Sequence, residues 1–150
     1  KSLMPCNIYG IGDSYGLENS HFFPALIKKI HNSKIKNSGK ITIWGTGKPK
    51  RELIFVDDVA NACIHFIKKN TPEPLINIGY GTDKSIKYYV NFIMKKLNYF
   101  PEILYDTSKP DGTYKKLLDS SLSQKYLWKP SIDLDEGFDI TYKDFLKNGQ

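Results

Sequence analysis

Apolar positions along the chain switch between two spacings. Phe23, Leu26, Ile27 and Ile30 recur three and four apart, so "HFFPALIKKIHNSK" is predicted helical, with Ser20 as N-cap and Pro24 tolerated in the first turn. The same period puts Val59, Ala62, Cys63, Phe66 and Ile67 on the inner face of a helix over "DDVANACIHFIKKN", with Asp57 as its cap. It puts Ile86, Tyr89, Val90, Ile93 and Leu97 on the inner face of another, capped by Ser85. Asp133, with Glu136 three residues on, marks the start of the closing helix, and "SSLSQKYL" is a shorter one. Between these lie "SLMPCNIYG", "KITIW", "ELIFV", "LINIGYG" and "EILYD", short apolar or alternating runs bounded by Gly, Pro and Asp and predicted as strands; "KKLLD" is a short extended segment. Strands and helices alternate, which defines an α/β chain. The opening strand is read as buried, with its sheet not contained in these residues.

Composition adds limits rather than a function. The chain has 150 residues, enough for one domain with a core, and a formal net charge of +6. That charge suits a phosphate-bearing partner. The lysines come as scattered pairs rather than as a stripe interleaved with aromatics, so no nucleic-acid surface is expected. No apolar run approaches the length of a membrane span, and no signal peptide is read. The chain opens on Lys1 rather than Met, which marks it as a fragment or a processed product. Cys6 and Cys63 make no disulfide framework and show no zinc-site spacing with His21, His31 or His65, so no metal is expected and a reducing cytoplasm is. The neighbours Asp57 and Asp58 are read as a helix cap and a buried partner for Arg51, not as a metal pair.

No Gly-rich dinucleotide fingerprint, phosphate loop or serine nucleophile elbow is read in the chain. Three stretches carry more information: "PCNIYG…NSHFFPALIKK", "WGTGKPKRELIFVDDVA" and "DTSKPDGTYKKLLD". Together they resemble the C-terminal half of the GDP-L-fucose synthase family, extended short-chain dehydrogenase/reductases within the NAD-dependent epimerase/dehydratases. The resemblance runs from Pro5 through the closing helix. It implies the last strand of a Rossmann sheet over residues 1–18 and a smaller α/β substrate-binding domain over 19–150. It implies an enzyme that epimerises GDP-4-keto-6-deoxy-D-mannose at C3 and C5 and then reduces C4 with NADPH. The Rossmann fingerprint and the reductase Ser, Tyr and Lys are expected outside these residues, so the chain alone is expected to bind little NADPH and to be inactive. A homodimer is implied for the whole enzyme. A paralogue using another GDP-4-keto sugar such as a heptose, or a stand-alone nucleotide-sugar-binding module, remains the alternative.

The same resemblance assigns residues. His21 matches the family's catalytic histidine in its Asn-Ser-His setting, which the resemblance pairs with a cysteine that neither Cys6 nor Cys63 matches; epimerisation beside a carbonyl needs a base to remove a proton and an acid to return one on the other face, and histidine can do either near neutral pH. Pro5, Cys6, Asn7 and Ile8, with His21, match the segment beside the nicotinamide ribose, and Ile8 is also read as a buried strand end. Lys29, Trp44, Arg51 and Lys116 match substrate contacts. Lys29 stands where the family usually has Arg, keeping the charge without the planar fork. Arg51 suits a diphosphate. Trp44 reads equally as a sheet-face residue and as a surface for sugar or base. A further family arginine falls on Glu102, which reverses its charge.

Overall fold

The computed structural model describes residues 1–16 and 20–149. Asn19 of the Asn-Ser-His motif and the boundary expected between residues 18 and 19 lie outside the described residues. The elements run β1 (Ser2–Pro5), β2 (Asn7–Tyr9), α1 (Phe22–Ile35), β3 (Lys40–Trp44), β4 (Lys50–Arg51), β5 (Leu53–Phe55), α2 (Val56–Ile67), β6 (Leu75–Ile78), β7 (Lys84–Ser85), α3 (Ile86–Lys96), β8 (Glu102–Asp106), β9 (Lys115–Lys116), α4 (Ser121–Lys125) and α5 (Leu134–Asn148). Three parallel ladders, β1–β6, β2–β5 and β3–β8, carry the α/β architecture. A small sheet sets β4 antiparallel to β7 and parallel to β9.

The apolar periodicity maps onto burial. Phe23, Leu26, Ile27 and Ile30 of α1 are all buried, as are Ile41 and Ile43 of β3, and α1 packs against β3 and α3. Tyr89, Val90 and Ile93 of α3 join Phe138 and Phe145 of α5 in the same cluster. Each side chain of this size stabilises by about 1.5–3 kcal/mol when fully buried. A second cluster gathers Ile54, Ala62, Phe66, Ile76, Ile78 and Trp128, with Leu3 and Cys6 packed against it. Trp128 was not singled out from the sequence because it stands alone between turns, outside any periodic run. Ser85 caps α3 by accepting from the Tyr88 N–H at 3.1 Å, and Asp133 caps α5 by accepting from the Glu136 N–H at 2.9 Å, both as expected.

Several expectations are corrected. The opening strand breaks at Cys6 into β1 and β2, and it has partners within the chain, β6 and β5. It is not fully buried: Met4 and Ile8 are 46% and 37% exposed, because one face of the strand is uncovered among the described residues. His21, not Ser20, occupies the N-cap of α1, and its side chain makes no capping bond. In α2 the cap is Phe55, while Cys63 and Ile67 are exposed. Asp57 is a solvent-facing first-turn residue. Asp58 is the buried one, and its partner is not Arg51: Oδ1 accepts from the Ser131 N–H and hydroxyl, each at 2.9 Å, and Oδ2 from the Ile132 N–H at 3.1 Å. A buried carboxylate needs such donors, and two consecutive backbone amides ahead of α5 supply them.

Asp58 therefore ties α2 to the segment leading into α5. Asp58→Ala is expected to lose about 3 kcal/mol in chemical denaturation, the scale of charge-assisted hydrogen bonds left unmade, whereas Asp57→Ala should lose less than about 1 kcal/mol. Equal losses for the two variants would contradict the assignment.

Candidate functional site

Two hollows meet at the start of α1. The first, about 430 Å³, is lined by Cys6, Asn7, Ile8 and Tyr9 of the broken strand, the turn Gly10–Asp13, Val56 and His21. The kink at Cys6, whose N–H donates to the Ile78 carbonyl at 2.9 Å, carries the chain from one ladder to the next and leaves Ile8 facing this space. His21 is exposed at its rim, so its ring meets both the hollow and solvent. Asp13 shares the lining; burial raises its carboxyl above the ordinary range, opposed by the Ser14 N–H and by the charge of His21. Asn7 donates from Nδ2 to the Glu52 carbonyl at 2.7 Å. The Cys6 thiol is pushed up to about 12, first by burial and then by the carboxylate of Glu52, so it stays protonated. Pro5 ends β1 opposite Ile78 and is not in this lining.

The second hollow, about 300 Å³, brings together Lys29, Trp44 and Arg51 with Ser20, Phe22, Pro110 and Asp111 among its walls. Trp44 ends β3 on the outward side of the strand's alternation and is 61% exposed, so it is a sheet-face ring open to solvent and not a core residue. The ammonium groups of Lys29 and Lys109 each lie 5.8 Å from the Trp44 ring centre, within cation–π range. Lys29 also donates to the Thr42 carbonyl at 2.7 Å, and burial lowers its pKa from the ordinary lysine value. Arg51 donates from one terminal nitrogen to the carbonyls of Lys50 and Thr113, both at 2.7 Å. Lys116 is exposed and does not line the hollow, but β9 sets it directly opposite Arg51. The Ser20 hydroxyl is buried and has no partner among the described residues; such groups ordinarily have one, from protein, water or ligand. Glu102 sits at the other end of β8, opposite Lys40 and 3.6 Å from its ammonium in an exposed pair, four residues along the ladder from Trp44.

Glu52 was not singled out from the sequence, although it follows Arg51 directly. It is fully buried; Oε1 accepts from the Gly81 N–H at 2.6 Å and Oε2 from the Leu118 N–H at 3.0 Å. Its own N–H donates to the Lys116 carbonyl at 3.3 Å. Lys109 was also missed, being one lysine among many in a polar loop. Two letter patterns need a structural answer. Gly12–Gly16 spells G-x-S-x-G, but residues 13–16 form no helix and Ser14 is exposed in irregular chain, whereas a nucleophile elbow requires a strand–turn–helix. Tyr80 with Lys84 and Tyr105 with Lys109 have Tyr-x-x-x-Lys spacing, yet none of these four lies on a helix, where that spacing would put both on one face. Among the described residues no group of three His, Cys, Asp or Glu is arranged to hold a metal, and no helix is long and apolar enough to cross a membrane.

The two cysteines are expected to differ in reactivity. Cys63 is exposed, while Cys6 is both half-buried and held as the thiol. Iodoacetamide at pH 8 should label Cys63 in the native protein and spare Cys6 until denaturation. Labelling of both at similar rates would contradict the placement of Cys6.

Known proteins give the same picture of ancestry. The chain is 38% identical over 99% of its length to GDP-L-fucose synthase of Escherichia coli (strain K12), covering 49% of that protein. It is 37% identical over 97% of its length to GDP-L-colitose synthase of Yersinia pseudotuberculosis, covering 48% of it. Among solved structures, GDP-L-fucose synthetase from Naegleria fowleri bound to NADP superposes with a TM-score of 0.87 at 25% identity, over 99% of this chain and 47% of that one. The chain thus spans about half the length of the curated relatives it matches. Residues 1–79 match the NAD dependent epimerase/dehydratase family, and with more than half of its 150 residues so accounted for, the chain belongs to that family.

Proposed function

We propose that this chain forms the substrate-binding part of an enzyme of the GDP-L-fucose synthase type, one that epimerises GDP-4-keto-6-deoxy-D-mannose at C3 and C5 and reduces C4 with NADPH. The observation that carries this reading is the fan of consecutive residues at the start of α1: Ser20 and Phe22 face the hollow with Lys29, Trp44 and Arg51, while His21 between them faces the other. A nucleotide sugar has a matching division, an anionic diphosphate at one end and a neutral sugar at the other. In this reading Arg51, Lys29 and Lys116 meet the phosphates, Trp44 packs against sugar or base, and the Ser20 hydroxyl, without a partner among the described residues, finds one in the ligand. His21, open to solvent, is one of the two groups that move the proton at the carbon beside the keto group, removing it or returning it on one face, while the group for the opposite face comes from the rest of the enzyme. Residues 1–18 belong to the end of the NADP-binding domain and 19–150 to the GDP-sugar-binding domain. The whole enzyme is a cytoplasmic homodimer, and the chain alone lacks the reductase Tyr and Lys.

NADP, when bound, supplies the reducing equivalent for C4. The residues present fit one end of it. The hollow beside Cys6, Asn7 and Ile8 has apolar Ile8 and Val56 walls for a flat neutral ring, and no Lys or Arg among its lining residues to meet a pyrophosphate. Pro5 flanks this segment without lining it. Weak or no NADPH binding by the chain alone is expected because the Rossmann fingerprint that holds the pyrophosphate is expected outside these residues.

A related GDP-4-keto-deoxy sugar as substrate is the second reading, favoured by the similarity to a GDP-L-colitose synthase and by Lys29 where the family usually carries Arg.

In the full-length enzyme, His21→Ala should abolish exchange of solvent deuterium into C3 and C5 while GDP still binds; continued exchange would remove His21 from the role. Arg51→Ala should raise KM about 30-fold with kcat little changed, equivalent to about 2 kcal/mol of lost charge-assisted contact. Tighter binding of UDP than of GDP in a competition titration would overturn both readings.

A further inference from the structure

One carboxylate fastens the polar loop 107–113 to the turn that follows β3. Asp111 accepts from the Thr46 N–H with Oδ1 at 2.6 Å and from the Thr46 hydroxyl with Oδ2 at 2.7 Å, so both oxygens are taken by one residue. Gly45 makes the approach possible: at φ +73° it has no Cβ, and one placed there would overlap Asp111 Oδ1 and come within 3.3 Å of the Asp111 Cα. The two hydrogen bonds hold the Asp111 carboxyl below the usual carboxylate range. The loop's other contacts bracket this fastening. Two residues before it, Lys109 lies over the Trp44 ring; two residues after it, the Thr113 carbonyl holds Arg51.

We propose that Asp111 is a positioning residue for the nucleotide hollow, a latch that holds Lys109 over Trp44, outside the hollow's own lining, as a further cation for the ligand's diphosphate. This rests on the GDP-sugar reading above. The latch is exposed, so its hydrogen bonds compete with water and add little to folding. Its effect is instead on where Lys109 spends its time. A lysine on a free loop loses rotamer and backbone entropy when it meets a phosphate; one already held over an indole has lost much of it beforehand.

The test is calorimetric titration of the full-length protein with GDP, using Asp111→Ala, Lys109→Gln, the double variant and Thr46→Val. Asp111→Ala is expected to weaken GDP binding about 4-fold, no more than loss of the lysine itself, and to raise KM with kcat unchanged. Thr46→Val, which removes one of the two bonds, should weaken binding about 3-fold on the same scale. Lys109→Gln should weaken binding about 5-fold in the native background and less than about 2-fold when Asp111 is already Ala, because the lysine is then no longer held in place. Equal effects of Lys109→Gln in both backgrounds, or unchanged GDP affinity in Asp111→Ala, overturn the latch while leaving the parent reading standing. Failure of the unmutated protein to bind GDP overturns the parent reading and the latch together.

Discussion

The structure turns on a carboxylate that has no water to answer it. Glu52 is fully buried, and its two oxygens reach the backbone N–H groups of Gly81 and Leu118, which belong to otherwise separate loops. Its carbonyl takes the Asn7 amide and its N–H meets the Lys116 carbonyl. Losing any one of these would leave a buried polar group unpaired, at a cost of about 1–3 kcal/mol and more for a charged one. Glu52 therefore couples its own segment to three others, at Asn7, at Gly81 and at Lys116–Leu118. Arg51 and Lys116, the Asn7 wall of the first hollow and the raised thiol of Cys6 all follow from where Glu52 sits.

Around that centre the two hollows acquire opposite character. Lys29, Lys109 and Arg51 gather on the side of Trp44, and Lys116 stands next to Arg51. The other hollow has an acid, a protonated thiol and apolar surface, with His21 exposed at its rim. The net charge of the chain says nothing of this division. It arises because β3, β4 and the loop 107–113 converge on one side of the α1 start, while β2 and its turn converge on the other.

Much of this was legible beforehand. Helices α1, α3 and α5 announced themselves through the 3.6 period, and Ser85 and Asp133 through their capping chemistry, because both signals are local. The grouping of Lys29, Trp44 and Arg51 was implied by family resemblance, not by spacing. What escaped depended on tertiary partners. Whether Asp57 or Asp58 turns inward depends on Ser131 and Ile132, more than seventy residues away. The exposure of Ile8 depends on what covers the strand, which an apolar letter cannot say. Glu52 read only as the first letter of the strand "ELIFV", since the amides that satisfy it come from residues 81 and 118.

The start of α1 imposes one more constraint. Ser20, His21 and Phe22 are covalent neighbours, yet Ser20 and Phe22 line one hollow and His21 the other, so the spacing between the two walls is set here by a single peptide unit, about 3.8 Å between adjacent Cα atoms. A side chain elsewhere in either hollow can be exchanged without altering that spacing. The helix start thus acts as a fixed gauge between the two hollows, and a ligand that reached into both would be held to its length.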